Sequence, residues 1–551
     1  MWRSGKFWIL FILVLLSSWG LWFFLSSHKV AKHASFIPAD AAGVITFNTK
    51  RLAADFLFGS IGNVDSISGQ SYGSPFKKIM ATRDSTGIRL TTDVFLFTGY
   101  SHMSKEPYYG LVFKTEDIQM MNTFFTKVFP HLIDTTETHV SEVADCKSFK
   151  SMVLIPDHSS APIGIAYNKE VLILLLSRMP NVDMGWIDKE MRYLFSLSSD
   201  RSILSNTRFV ASEKRAADVS FWFDSNHPLL NPEWFTPKDK TPAYCQGWLD
   251  FSKGQAVLEL VSDGSRPGKT PLFNSEESST NILGYADKKG FVGLLSANLN
   301  VKTLIDKIGN ISSFSLSMLD STSAKAFAQG AISPKEANVP LSELITYFNG
   351  KTECIWTGFT SYPKKYIDYE FDENFNHIEV ERKVNKCMPS FVLRMGLNGP
   401  RAITEVLPKM IQNKQLIPWN TGYKFNSAFP LFLFPAGNGV ILTNSEQLPV
   451  AQNPAAPLTK PFDALFQNQA AVVILNISTL EKEYQRSDGK KPISSGLNYI
   501  TLTVDESKAG GLRGLITLTF KDSHSNAFPQ LVSSLRSFWS RNQRDTLLRQ
   551  D

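Results

Sequence analysis

The sequence predicts an α+β fold: repeated β-α-β-β(-α-β) modules, ferredoxin-like antiparallel sheets with helices on one face, after one N-terminal transmembrane helix. Three observations predict it. First, a short apolar strand, an Asn and an apolar-periodic segment recur three times, with the Asn four residues ahead of a Leu: Asn48 and Leu52, Asn300 and Leu304, Asn476 and Leu480. An Asn there can cap the free backbone N–H groups that open a helix. Second, apolar runs of strand length alternate with segments of helical period along the whole chain. Third, residues 7–25 hold no charge.

That apolar run, FWILFILVLLSSWGLWFFL, is 19 residues long. At about 1.5 Å per residue it spans about 28 Å, close to a bilayer's hydrocarbon core. Trp2, Trp8, Trp19 and Trp22 suit the interfaces. No A-x-A site follows, so an uncleaved anchor is expected rather than a signal peptide. Arg3 and Lys6 precede it, and Lys29 and Lys32 follow. The balance leans toward a cytoplasmic N-terminus, which implies the inner membrane with the C-terminal domains exported to the periplasm. Residues 1–6 are then the only cytoplasmic part, too short for an output domain.

Residues 26–35 form a tether, and 36–261 a first α+β module pair. In that pair residues 93–98, DVFLFT, and 108–113, YYGLVF, read as strands. Residues 116–129 read as a helix opened by Thr115, Glu116 and Asp117 and closed before Pro130. Strands at 151–155 and 163–176 follow, the second broken into a hairpin at Asn168-Lys169. Residues 183–214 are mainly helical and lead to DVSFWF, 218–223, where Asp224 stands in the place of the repeated Asn. Strands at 245–251 and 255–261 close the pair. A Gly/Pro/Ser-rich linker covers 262–285.

The second module covers 286–448. Strands are expected at 291–295 and 354–360, with a hairpin of 366–371 and 377–384 about Asp372-Glu373-Asn374. A further strand at 390–395 leads to a helix opened by Pro400 and Arg401, and a hairpin of 431–434 and 439–443 ends the module. A Pro/Ala linker at 449–465 precedes a third, shorter module at 466–540. Residues 541–551 are a polar tail.

Composition narrows the function classes. With 551 residues, 43% hydrophobic and 20% charged, the chain can build several cores. A net charge of +6 with no Lys/Arg block beyond the first residues argues against nucleic acid. Cys146, Cys245, Cys354 and Cys387 form no zinc spacing; Cys354 and Cys387 could pair in an exported chain or stay free. No nucleophile elbow, phosphate loop or dinucleotide motif occurs, so no catalytic residue and no cofactor is assigned. The acidic run at 368–374 puts Asp368, Glu370 and Asp372 on one strand face, where they are candidate Ca²⁺ ligands. The same charges also fit a solvated edge hairpin that discourages aggregation. Trp234 and Phe235, in a Pro-rich loop, are candidate ligand-binding aromatics.

Three segments carry a resemblance. They are IPADAA with its strand, Asn and helix; the helix S-x-L-S-N-x-R-F at 202–209 leading to Ala216-Ala217-Asp218-Val219; and YEFDENFNHIEV at 369–380 before PSFVLRMGL. Together these resemble an uncharacterised envelope-protein family of the Bacteroidetes, domain of unknown function four-eight-three-six. The resemblance implies an exported, envelope-attached protein and supplies no functional residues. Members are often lipid-anchored, and this chain carries a spanning segment instead. The expected function is a single-pass envelope protein that scaffolds or binds other envelope components. The alternatives are a hydrolase of an envelope polymer and a glycan or ligand binder.

Overall fold

The computed structural model describes residues 30–53, 86–89, 91–102, 104–129, 138–141, 143–156, 162–177, 185–224, 227, 229, 243–262, 271–274, 281–286, 290–301, 303, 347–371, 377–399, 401–412, 414–426, 430–449, 462–488, 495–506 and 511–535. The expected anchor at 7–25, Trp234, Phe235 and Asp372 lie outside them. No helix among the described residues is long and apolar enough to cross a membrane. The chain is α+β and dominated by open, antiparallel sheet. Two compact units divide it, one running to Asp250 and one starting at Phe251.

The first unit contains strands β1 (Gly43–Phe47), β2 (Val94–Tyr100), β3 (Pro107–Lys114), β4 (Thr138–Val140), β5 (Ala144–Cys146), β6 (Phe149–Pro156), β7 (Ile163–Tyr167), β8 (Val171–Ser177), β9 (Val219–Asp224) and β10 (Tyr244–Ser252). Pairing runs β6–β7–β8–β3–β2–β1–β9–β10, with β4 and β5 both against β6. Every one of these pairs is antiparallel, whereas a ferredoxin-like plait has a parallel central pair.

Helix α1 (Ile118–Thr123) continues as a π turn over Phe124–Val128, and α2 (Gly185–Phe195) and α3 (Thr207–Ser212) follow. These helices cover both faces of the sheet, which corrects the expectation of one covered face. Ala166, Ile173 and Leu175 pack with Trp186, Ile187 and Met191 of α2. Their strand neighbours Ile165, Tyr167 and Leu172 pack with Met121, Phe124 and Phe125. The physical reason is visible in β8, VLILLLS: it has no polar alternation, so each face needs a cover. Gly164 allows α2 its close approach, since a Cβ there would meet Ile187 Cγ2 at 2.3 Å.

The second unit contains β11 (Gln255–Ser262), β12 (Gly293–Asn298), β13 (Phe348–Phe371), β14 (His377–Leu397), β15 (Leu416–Trp419), β16 (Gly422–Phe425), β17 (Phe432–Ala436), β18 (Gly439–Thr443), β19 (Ala471–Asn476), β20 (Leu497–Glu506) and β21 (Leu512–Phe520). Its order is β15–β16–β17–β18–β14–β13–β12–β19–β20–β21–β11, again antiparallel throughout. Helices α4 (Leu407–Gln412) and α5 (Ile477–Asp488) belong to this unit. Its main core gathers Phe291, Leu294, Ile355, Phe432, Phe434, Val472 and Ile474.

Set side by side, the two strand orders are the same. The run β6–β7–β8–β3–β2–β1–β9–β10 corresponds to β16–β17–β18–β14–β13–β12–β19–β20. The expected third module is therefore not separate from the second: β19 pairs with β12, Gly293 opposite Leu475. The expected linker at 262–285 also differs from what is observed. The division between units falls before it, and Ile282 and Leu283 within it are buried. Leu272 and Phe273 backbone N–H groups donate to the Glu506 carboxylate at 2.9 and 2.7 Å.

The repeated Asn does what its chemistry predicts. Asn48 Oδ1 accepts from Arg51 N at 3.2 Å, Asn300 Oδ1 from Thr303 N at 3.2 Å, and Asn476 Oδ1 from Thr479 N at 2.9 Å. Asp224 has another partner, accepting from the Ala243 N–H at 2.8 Å just before β10.

Candidate interaction site

The equivalent hairpins β2–β3 and β13–β14 differ most between the units. In the first unit the strands are 7 and 8 residues long. The turn between them is held down from α2. Ser101 Oγ and the His102 N–H donate to Glu190 Oε2 at 2.8 and 2.9 Å, and the Tyr108 hydroxyl donates to Oε1 at 3.1 Å. The His102 ring stacks on Tyr193 with centroids 4.6 Å apart, one helical turn along α2 from Glu190. Glu190 is 0% exposed. Burial raises its carboxyl pKa against the pull of those three donors, and burial with the adjacent Glu190 pushes the Tyr108 phenol well up. A carboxylate so enclosed, with its oxygens occupied, acts as a latch.

In the second unit the corresponding strands are 24 and 21 residues long. Their inner ends are fixed: β13 pairs with β12 over Lys351–Trp356, and β14 pairs with β18 over Val392–Gly396. A register shift between Trp356 and Gly358 marks the point where the strands leave the sheet. The Trp356 indole N–H donates to Gly358 O at 2.6 Å there. An irregularity of this kind re-aims a strand. From the Thr360–Met388 pair to the Phe371–His377 pair the two strands pair, among the described residues, only with each other. That makes a two-stranded ribbon about 40 Å long, at about 3.4 Å per residue.

No described side chain of the ribbon beyond Phe359 is buried. Even so, it carries large apolar groups: Ile367 is 56% exposed and Tyr369 61%, with Tyr366, Ile378 and Val384 also exposed. An isolated two-stranded hairpin is marginal in water, and apolar groups on one mark a surface used for contact. Pro363 pairs with Asn385 and Pro389 with Phe359. Proline has no N–H to give the ladder, so Pro363 withholds a donor from its margin, and at Pro389 the margin is already covered, its carbonyl accepting from Asn444 Nδ2 at 2.9 Å. Contact is thus left to the side-chain faces.

Of the sequence-proposed sites, Asp368 and Glu370 do share a face, as alternation requires. Arg382 from β14 stands between them, its Nε 3.0 Å from Asp368 Oδ2 and its Nη2 on Glu370 Oε1. The guanidinium supplies the charge a Ca²⁺ ion would bring, so these two carboxylates fit the solvated-hairpin reading. No group of three metal-binding side chains occurs among the described residues. All four cysteines are free. Cys354 faces Leu393 and Cys387 faces Ser361, so along the ribbon they stand about 20 Å apart, beyond disulfide reach.

Sequence reasoning located the hairpin tip but missed the ribbon. The expected strands stop at 360 and resume at 366, so Pro363-Lys364-Lys365 reads as a break between them. The available signal was charge order. Residues 367–381 contain six carboxylates and no Lys or Arg, while 360–366 and 382–388 contain five Lys or Arg and no carboxylate.

No family model matches this chain, and no curated protein matches it. One solved structure, "Structure of crystal form I of TP0453", is similar over 44% of this chain and 81% of its own, at 11% identity and a TM-score of 0.23. A likeness that low carries no argument about fold or function.

Proposed function

We propose that this chain is a single-pass envelope protein, anchored through residues 7–25 in the inner membrane. Its α+β units, exported to the periplasm, bind or scaffold other envelope components. The uncharged 19-residue run and the family resemblance support the location. Three Asn-capped strand–helix steps support reading the units as related modules. The observation that carries the binding role is the ribbon of β13 and β14, long, solvent-exposed on its described side chains and studded with Ile and Tyr.

The test is cross-linking in intact cells followed by purification through a C-terminal tag. The comparison is with a variant in which residues 361–387 are replaced by Asn-Gly, a turn suited to a two-residue hairpin. Reproducible envelope partners that disappear with the ribbon are expected. Partners unchanged by its removal, or none from the intact chain, would overturn the reading.

A further inference from the structure

We infer that the helix following β21 lies on an anionic bilayer surface through Val532 and Leu535, giving the chain a second membrane contact. This helix, α6, covers residues 527–535 and belongs wholly to the second unit. Its start is set locally. Asn526 Oδ1 accepts from the Phe528 N–H at 2.8 Å, and Pro529 falls in the first turn, where no N–H is needed. One side holds α6 to its unit: Ala527 is fully buried, the Phe528 ring centroid lies 5.0 Å from that of Phe251, and Ser534 Oγ donates to the Ser495 carbonyl. The other side is apolar and bare. Leu535 is 59% exposed and Val532 45%, and a spacing of three residues makes them neighbours on the helix surface.

Charge decides what covers that side. The helix itself, AFPQLVSSL, holds no charged residue. Residues 536–551 follow it, outside the described ones, and their sequence keeps the spacing: Phe538 and Trp539 stand three and four residues past Leu535. Arg536, Arg541 and Arg544 come with them, and no Asp or Glu occurs before Asp545. Unopposed Arg beside Val, Leu, Phe and Trp suits the boundary between phosphate headgroups and acyl chains, where apolar groups sink in and guanidinium groups stay with the phosphates. An apolar protein groove would match Val532 and Leu535 but not three Arg.

So small an apolar patch grips a bilayer weakly by itself. The proposed anchor at 7–25 makes the contact an intramolecular step at high effective concentration, and only this part of the inference rests on the proposed location.

The test is hydrogen exchange on the full-length chain in nanodiscs, followed peptide by peptide over 527–551. The discs are pure phosphatidylcholine or an equimolar mixture with phosphatidylglycerol. Slower exchange in the anionic discs is expected across 532–539, with β20 and β21 unchanged. Val532→Ser combined with Leu535→Ser should abolish the difference, and both sites are exposed, so the sheet stays folded. Arg536→Gln should reduce the protection about fivefold. Equal exchange in both lipids, or a difference that survives the double variant, would overturn the inference. So would protection in phosphatidylcholine discs that grows with protein concentration, which would mean that a second copy covers this side. The two readings fail separately. A chain that enters no disc, yet floats with phosphatidylglycerol vesicles until the double substitution is made, loses the anchor and keeps the helix contact. One that enters both discs with equal exchange keeps the anchor and loses the helix contact, and one that neither enters nor floats loses both.

Discussion

The two hairpins occupy the same place in the same strand order and have opposite fates. β2–β3 turns back after a few residues, and α2 fastens the turn through Glu190 and Tyr193. β13–β14 has no such fastening among the described residues and runs on to Phe371 and His377. A hairpin tip needs either a neighbour within its own fold or a reason to stand in water. The first unit spends a buried carboxylate on the tip; the second leaves Ile367 and Tyr369 exposed among the described residues. One sheet design thus yields a closed face and an outstretched one.

The comparison breaks most severely at the latch. Glu190→Ala leaves two hydroxyls and one N–H without their acceptor inside the core, at a cost of about 3 kcal/mol. Faster hydrogen exchange in the β2–β3 amides, with a lowered first thermal transition, is the expected result. An unchanged exchange pattern would show that the latch does not hold the turn.

The same carboxyl sharpens the comparison through pH. Burial favours its neutral form in the fold more than in the unfolded chain. The latch therefore contributes fully below the usual 4.5, and stability falls as pH rises through the raised folded value. Glu190→Gln should flatten that slope in thermal unfolding measured across pH, while β13–β14 exchange keeps its wild-type pH profile.

Smaller effects are expected in the second unit. Replacing 361–387 by Asn-Gly makes β13–β14 resemble β2–β3 and should change stability by no more than about 0.5 kcal/mol, read by chemical denaturation. A loss of several times that would mean the ribbon supports the sheet. Smallest of all is Arg382→Ala, whose partners Asp368 and Glu370 stay solvated. No measurable shift in melting is expected.

Much of this was legible where local chemistry decides. The Asn caps, the Asp117 cap of α1, the hairpin at Asn168 and the strands 431–434 and 439–443 follow from nearby residues. What local chemistry cannot express went unread. Gly293 opposite Leu475 is a long-range pairing, and without it the second unit splits into two. VLILLLS is equally apolar to both sides, so its two helix covers are invisible until the helices are placed. Ile367 and Tyr369 have core chemistry and surface positions, the mismatch that sequence averages conceal and that marks the candidate site.

Pro363 and Pro389 have a consequence for how far any assembly of this chain can grow. A bare ribbon edge offers every newcomer another edge, and the result is a filament without a last member. With Pro363 on one margin and Pro389, capped by Asn444, on the other, the ribbon disfavours that open-ended growth.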